Sequence, residues 1–200
     1  MNTQPVPQRL LILVSLFLLG SAALSAQTPL RSDSLGFSVV LPRGYEVPSP
    51  EVEPISSDVG TMQMTMWRAL GADGNSICMV AVTDYPREMY EMIQSQGNYA
   101  AATKALLDSA TNGGLRSLNN AKLISRKDFS LNGAQGRSIR LQTTQMGRKI
   151  YGRFDYFISE NRLYQVAYLA ANKKAVDAAA TASYFQSFKL MPAVARGTTE

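Results

Sequence analysis

Met62, Met64 and Met66 stand at alternate positions. In an extended strand successive side chains point to opposite faces, so these three thioethers share one face. Soft sulfur suits Cu(I), which makes the stripe a candidate metal site. Thr61, Gln63 and Thr65 lie between them, and such alternation also describes a strand with one face in the core, where methionine fills irregular gaps. The core is the plainer reading, and a small Cu(I)-binding protein is the alternative. A second candidate set is basic: Arg137, Arg140, Arg148, Lys149 and Arg153 cluster in sequence around a turn at Gly147. They suit an anionic partner, although a run of charge also serves simply to solvate a surface.

Other chemistries lack their residues. The chain has no histidine, which removes Ser-His, Cys-His and His-metal catalysis. Cys78 sits in the most apolar stretch with no basic neighbour in sequence to lower its pKa, as expected of a core thiol. The carboxylate pairs Glu88/Glu91 and Asp155/Glu160 are not placed to face one another across a cleft, which general acid and base work requires. Asp73-Gly74-Asn75 reads as a hairpin turn rather than a calcium loop. The expectation is a non-enzyme with no catalytic residue and no cofactor.

The elements that position these residues follow from periodicity. Gly36–Leu41 reads as a strand stopped by Pro42 and Gly44. Tyr45–Gly60, with three prolines and four acidic residues, reads as an exposed loop. Thr61–Arg68 alternates with period two, while Ile77–Val82 is apolar on both faces and belongs inside a covered sheet. Pro86 opens a short amphipathic helix, and a second helix spans Tyr99–Thr111, capped by Asn112-Gly113-Gly114. Strands follow at Ala121–Phe129, Gly136–Thr144, Ile150–Ile158 and Leu163–Ala170, joined by turns short enough for antiparallel hairpins. In the third, Ile150, Phe154, Tyr156 and Ile158 share a face while Tyr151, Arg153 and Asp155 point the other way, and one face is expected to be buried more deeply. Asn172 caps a final helix, Lys173 to about Gln186, with Phe185, Phe188 and Leu190 anchoring its end. The expected class is α+β, an antiparallel sheet with helices packed on it.

The N-terminus carries an address. Arg9 precedes the uncharged run Leu10–Leu19, which gives way to Gly20-Ser21-Ala22-Ala23-Leu24-Ser25-Ala26. That order of basic, apolar and small is the grammar of a cleaved secretion signal, and the apolar run is about half the length of a membrane span. Cleavage after Ala23, Ser25 or Ala26 is compatible with the small residues, with Ala26 taken as the nominal end. This divides the chain into a signal at 1–26, a linker at 27–35, one domain at 36–190 and a flexible tail at 191–200. The expected compartment is periplasmic or extracellular, with no transmembrane segment after cleavage and no nucleic-acid partner. From Gln27 to Leu115 there are five Lys and Arg against ten Asp and Glu, and from Arg116 to Glu200 fourteen against five. A basic second half suits an anionic partner, unless folding interleaves the halves and cancels the fields.

Three separated motifs resemble the PsbP-like family: the opening Gly36-Phe37-Ser38-Val39-Val40-Leu41-Pro42-Arg43-Gly44-Tyr45; the turn Asn132-Gly133-Ala134-Gln135-Gly136-Arg137 leading into Tyr151–Ala170 with its Arg162-Leu163-Tyr164; and the ending Tyr184-Phe185-Gln186-Ser187-Phe188-Lys189-Leu190. Together they span Gly36 to Leu190 and depart from the family at Tyr45, where tryptophan is more usual. The resemblance implies an α/β/α sandwich without enzymatic activity. The function expected is that of an exported non-catalytic binding or assembly module of the cell envelope, its partner an envelope protein or an anionic envelope component.

Overall fold

The computed structural model describes residues 29–57, 60–95, 97, 99–118 and 120–192. The signal at 1–26 and the tail from 193 onward lie outside the described residues. In chain order the elements are β1 (Pro29–Ser32), β2 (Phe37–Val40), β3 (Glu51–Ser57), β4 (Gly60–Leu70), β5 (Ser76–Asp84), α1 (Arg87–Ser95) and α2 (Tyr99–Ser117). They continue with β6 (Lys122–Leu131), β7 (Ala134–Gln145), β8 (Arg148–Ser159), β9 (Arg162–Ala170), α3 (Lys173–Val176), α4 (Ala179–Ser187) and β10 (Lys189–Leu190). Seven strands form one antiparallel sheet, ordered β3-β4-β5-β9-β8-β7-β6, and three form a small sheet, ordered β1-β2-β10. The α+β class follows.

Both faces of the large sheet are covered in its middle. On one, α2 lays Leu107 against Ile139, Leu141, Phe154, Tyr156 and Ala167. On the other, the small sheet and α4 press Phe37, Val39, Phe185 and Phe188 against Trp67, Val80, Phe157 and Val166. This explains Ile77–Val82, whose β5 lies inside the sheet between β4 and β9. The alternation along β8 is as expected, but neither face is the deeper over its middle: Asp155 and Phe157 are as buried as the neighbours opposite them, because α4 and the small sheet cover that side.

The three motifs act as fasteners between layers. The Tyr164 hydroxyl donates to the Leu35 carbonyl at 3.0 Å, tying the large sheet to the start of β2. The Ser187 hydroxyl accepts from the Val40 amide at 2.9 Å and donates to the Tyr184 carbonyl at 2.7 Å, so the end of α4 is pinned to the small sheet. Phe188 stacks on Phe157 and on Phe37, with centroids 5.2 and 6.0 Å apart. At the position where tryptophan is more usual, the Tyr45 hydroxyl meets the Ser76 hydroxyl at 2.5 Å.

Four further expectations change. The linker at 27–35 contains β1, which pairs along β2. The acidic loop contains β3, an edge strand paired with β4; Pro54 and the charges of Glu51 and Glu53 hide its periodicity, and only an edge tolerates them. The second helix does not stop at Asn112-Gly113-Gly114 but runs to Ser117. Gly114 serves close approach rather than capping, since a Cβ there would lie 2.5 Å from the Tyr156 hydroxyl oxygen. The last helix is broken in two. Asn172 does cap it, accepting from the Lys174 amide at 2.9 Å, but it ends at Asp177. There the Thr181 hydroxyl takes the Ala175 carbonyl at 2.6 Å, and Arg140 and Lys173 hold the Asp177 carboxylate.

Candidate anion-binding groove

The five basic residues divide between the two faces of the large sheet. In the β7–β8 register Arg140 stands opposite Arg153 and Arg137 opposite Tyr156. Alternation then puts Arg140, Lys149 and Arg153 on the α4 side, and Arg137 and Arg148 on the α2 side. The turn at Met146-Gly147 has both residues left-handed, with φ of 49° and 74°, and Arg148 and Lys149 are exposed beside it.

Arg137 is an internal strut. It is only 1% exposed and donates through Nε to Asp128 at 2.6 Å while Nη1 bonds Asp108 of α2. It thus joins the edge strand, the sheet and the helix. The guanidinium holds the Asp128 carboxyl below the ordinary carboxylate range, and Asp108 is lowered by Lys104 first and by Arg137 second. Sealed in this way, Arg137 does not present itself to an external anion in the manner expected of a surface cation.

The opposite face is different. Lys127 and Ser125 of β6, Ser138 and Arg140 of β7 and Arg153 of β8 line a groove of about 330 Å³. Arg153 grips the buried Asp155 through Nε at 3.0 Å and Nη2 at 2.7 Å. Its guanidinium also lies 4.0 Å from the centroid of Phe185, which fixes its plane. The Ser138 hydroxyl donates to the same carboxylate at 2.6 Å. Arg140 pairs with Asp177, whose carboxyl is lowered first by Lys173 and then by Arg140. Lys127 forms no ion pair among the described residues. Three lining cations therefore meet two carboxylates here, leaving the Lys127 ammonium and the Ser125 hydroxyl at a positive groove. Lys127 and Ser125 were absent from the sequence-derived set. They lie on the far strand of a hairpin closed at Asn132-Gly133, and the mirrored register of Lys127 with Ser138 is the signal that locates them.

The methionine stripe does share one face, and Met62 and Met66 are buried, 8% and 7% exposed. Met64 is partly exposed. The described residues hold no group of three His, Cys, Asp or Glu arranged for a metal. Cys78 is buried, and burial pushes its thiol up to about 12 despite a hydrogen bond with Tyr45, consistent with a core thiol. Glu91 is engaged by Arg87 at 2.8 Å, and Asp155 lies in the interior while Glu160 sits in the β8–β9 turn. Among the described residues no helix is long and apolar enough to cross a membrane.

No family model matches the sequence, and no curated protein matches it. The solved structures do. The solution structure of cyanobacterial PsbP (CyanoP) from Synechocystis aligns with a TM-score of 0.53 at 11% identity, covering 86% of this chain and 96% of that one. The fold is PsbP-like, as the three motifs imply. LpqN of Mycobacterium tuberculosis, described as involved in cell envelope biogenesis, aligns with a TM-score of 0.46 at 12% identity over 82% of this chain and 90% of its own. A Pseudomonas aeruginosa protein of unknown function, described as a putative regulator, gives 0.34 at 15% identity over 75% and 85%. Neither of these two adds to the fold assignment.

Proposed function

We propose that the chain is an exported, non-catalytic binding module of the cell envelope, and that the groove between β6, β7 and β8 is its recognition surface for an anionic, phosphate-bearing envelope component. The observation that carries this reading is the convergence of Lys127, Arg140 and Arg153 with two serine hydroxyls in one groove. Both neighbouring carboxylates are already engaged by arginines, so an incoming anion meets net positive charge. The fixed plane of Arg153 and the hydroxyl of Ser125 supply directional donors, while Lys127 acts as a point charge. Arg148 and Lys149 at the hairpin tip add to the long-range field but not to the groove. The sequence grammar of export supports the envelope as the place of action.

The test is vesicle binding by the chain secreted with its own signal. Vesicles containing a quarter anionic glycerophospholipid are expected to bind it at 50 mM salt and to lose it by 300 mM, as screening of exposed charge requires. Lys127→Ala with Arg140→Ala should weaken binding about tenfold, an electrostatic loss of roughly 1.4 kcal/mol. Undiminished binding by that double variant would remove the groove from the reading.

A further inference from the structure

On the same face of the large sheet, beyond the opposite flank of the small sheet, lies a cleft of about 710 Å³. It runs between the β1–β2 turn and the edge strand β3, and its chemistry is unlike that of the basic groove. Ser32 and Ser34 line it from the turn, and Thr61, Gln63 and Thr65 from β4. Among the described residues no lysine, arginine or glutamate lines it, and the one carboxylate is Asp84. Asp84 accepts from Arg162 Nε at 2.7 Å, and Arg162 keeps a buried Nη1 donor without a partner among the described residues. Trp67, 6% exposed, shows only an edge to it and is held by an edge-on contact with Phe37 at 5.1 Å, and Leu35, Pro50, Val52, Met62, Tyr85 and Pro86 make up the apolar and aromatic remainder of the lining.

We infer that this cleft is a second binding site, for a neutral, hydroxyl-rich ligand of the glycan type. An anion would find no cation on the lining, and a cation would find only a carboxylate already engaged. A purely apolar ligand would strip water from four aliphatic hydroxyls and a carboxamide without replacing their hydrogen bonds, at a cost of about 1–3 kcal/mol for each group left unsatisfied. Hydroxyls and a carboxamide both donate and accept. They therefore match sugar hydroxyls, which do the same, while the aromatic wall offers the apolar contact that the C–H side of a sugar ring prefers. The volume falls within the roughly 300–1,000 Å³ of small-ligand clefts. The site is separate from the basic groove, so either can fail alone.

Trp67 is the only tryptophan in the chain, which makes it a direct reporter. The secreted chain is titrated with two neutral oligosaccharides, chitotriose and maltotriose, while Trp67 emission is followed. The expected result is a saturable spectral change with one of them, insensitive to 300 mM salt. Gln63→Ala with Thr65→Val should raise the Kd about tenfold. Ser34→Arg, on the exposed turn and away from the core, should block the cleft even if the first variant proves unstable. Lys127→Ala with Arg140→Ala should leave the titration unchanged. The inference is overturned by no saturable response to either sugar, by a response only to inorganic phosphate or to a neutral tripeptide, or by Ser34→Arg binding as the parent does.

Discussion

Arg137 and Arg140 stand on one strand, one on each face of the large sheet, and the difference between their surroundings separates a structural role from the proposed recognition role. Arg137 is sealed beneath α2 with a carboxylate on either side. Arg140 is 40% exposed along its side chain and shares its carboxylate, Asp177, with Lys173. The same residue type, three positions apart, is a strut in one place and a wall of an open groove in the other. Sequence proximity grouped them; alternation across a strand divides them.

The contrast predicts opposite phenotypes. Arg137→Ala should lower the stability to urea by about 3 kcal/mol, since it removes a buried, paired side chain, while leaving vesicle binding by the folded fraction intact. Arg140→Ala should cost less than about 1 kcal/mol, as exposed pairs do, while weakening binding. Acid should probe the same network. Asp108 and Asp128 have folded pKa values below those of the unfolded chain. Their stabilisation is therefore complete above the unfolded value near 4 and disappears as pH falls through the lowered folded values. Urea midpoints between pH 7 and pH 3 should drop below about pH 4 in the parent and drop less in Arg137→Ala. If both arginine variants lose stability equally, the two faces are not the two environments described.

A second way to sharpen the contrast lies under α2. Glycine to alanine within a helix ordinarily stabilises by about 1 kcal/mol. At Gly114 the added methyl would meet the Tyr156 hydroxyl oxygen at 2.5 Å, and that hydroxyl is buried with no partner among the described residues. Gly114→Ala is expected to destabilise by about 2 kcal/mol, within the range of overpacked cores. At Gly113, where the same methyl meets nothing within 4 Å, alanine should stabilise. Thermal melts of the pair should move in opposite directions. A common direction would mean that α2 sits differently on the sheet.

The same glycines mark where sequence reasoning reached its limit. Local pattern located β4, β5 and the β6–β9 meander, because each has period-two alternation or an apolar run bounded by turn residues. It missed β3, whose Glu51, Pro54 and Glu53 look like a loop unless one knows that the strand lies at an edge. It read Gly113-Gly114 as a cap, since the side chain demanding those glycines, Tyr156, lies 42 residues downstream. The candidate site was half legible. Arg140 and Arg153 were picked from the hairpin, but Lys127 enters through the next strand, and the carboxylates that occupy Arg137, Arg140 and Arg153 arrive from α2, α3 and β6 as well as from β8. Which cation is spent inside the fold is a property of packing, and packing is not periodic.

The smallest effect is expected where the two faces meet, at the tip of the β7–β8 hairpin. The turns closing β6–β7 and β7–β8 have the same geometry: Asn132 and Gly133 at φ of 50° and 85°, Met146 and Gly147 at 49° and 74°. Both central residues at positive φ define the turn for which Asn-Gly is preferred. One hairpin has that pair and the other puts a fully exposed methionine, 102% accessible, in a conformation that a side chain of its kind adopts at a cost. With no packing to lose, Met146→Asn should raise stability by about 0.5–1 kcal/mol. If instead the variant is neutral in melts yet binds vesicles more weakly, the methionine is contributing at the membrane beside Arg148 and Lys149, and the recognition surface extends from the groove to the hairpin tip.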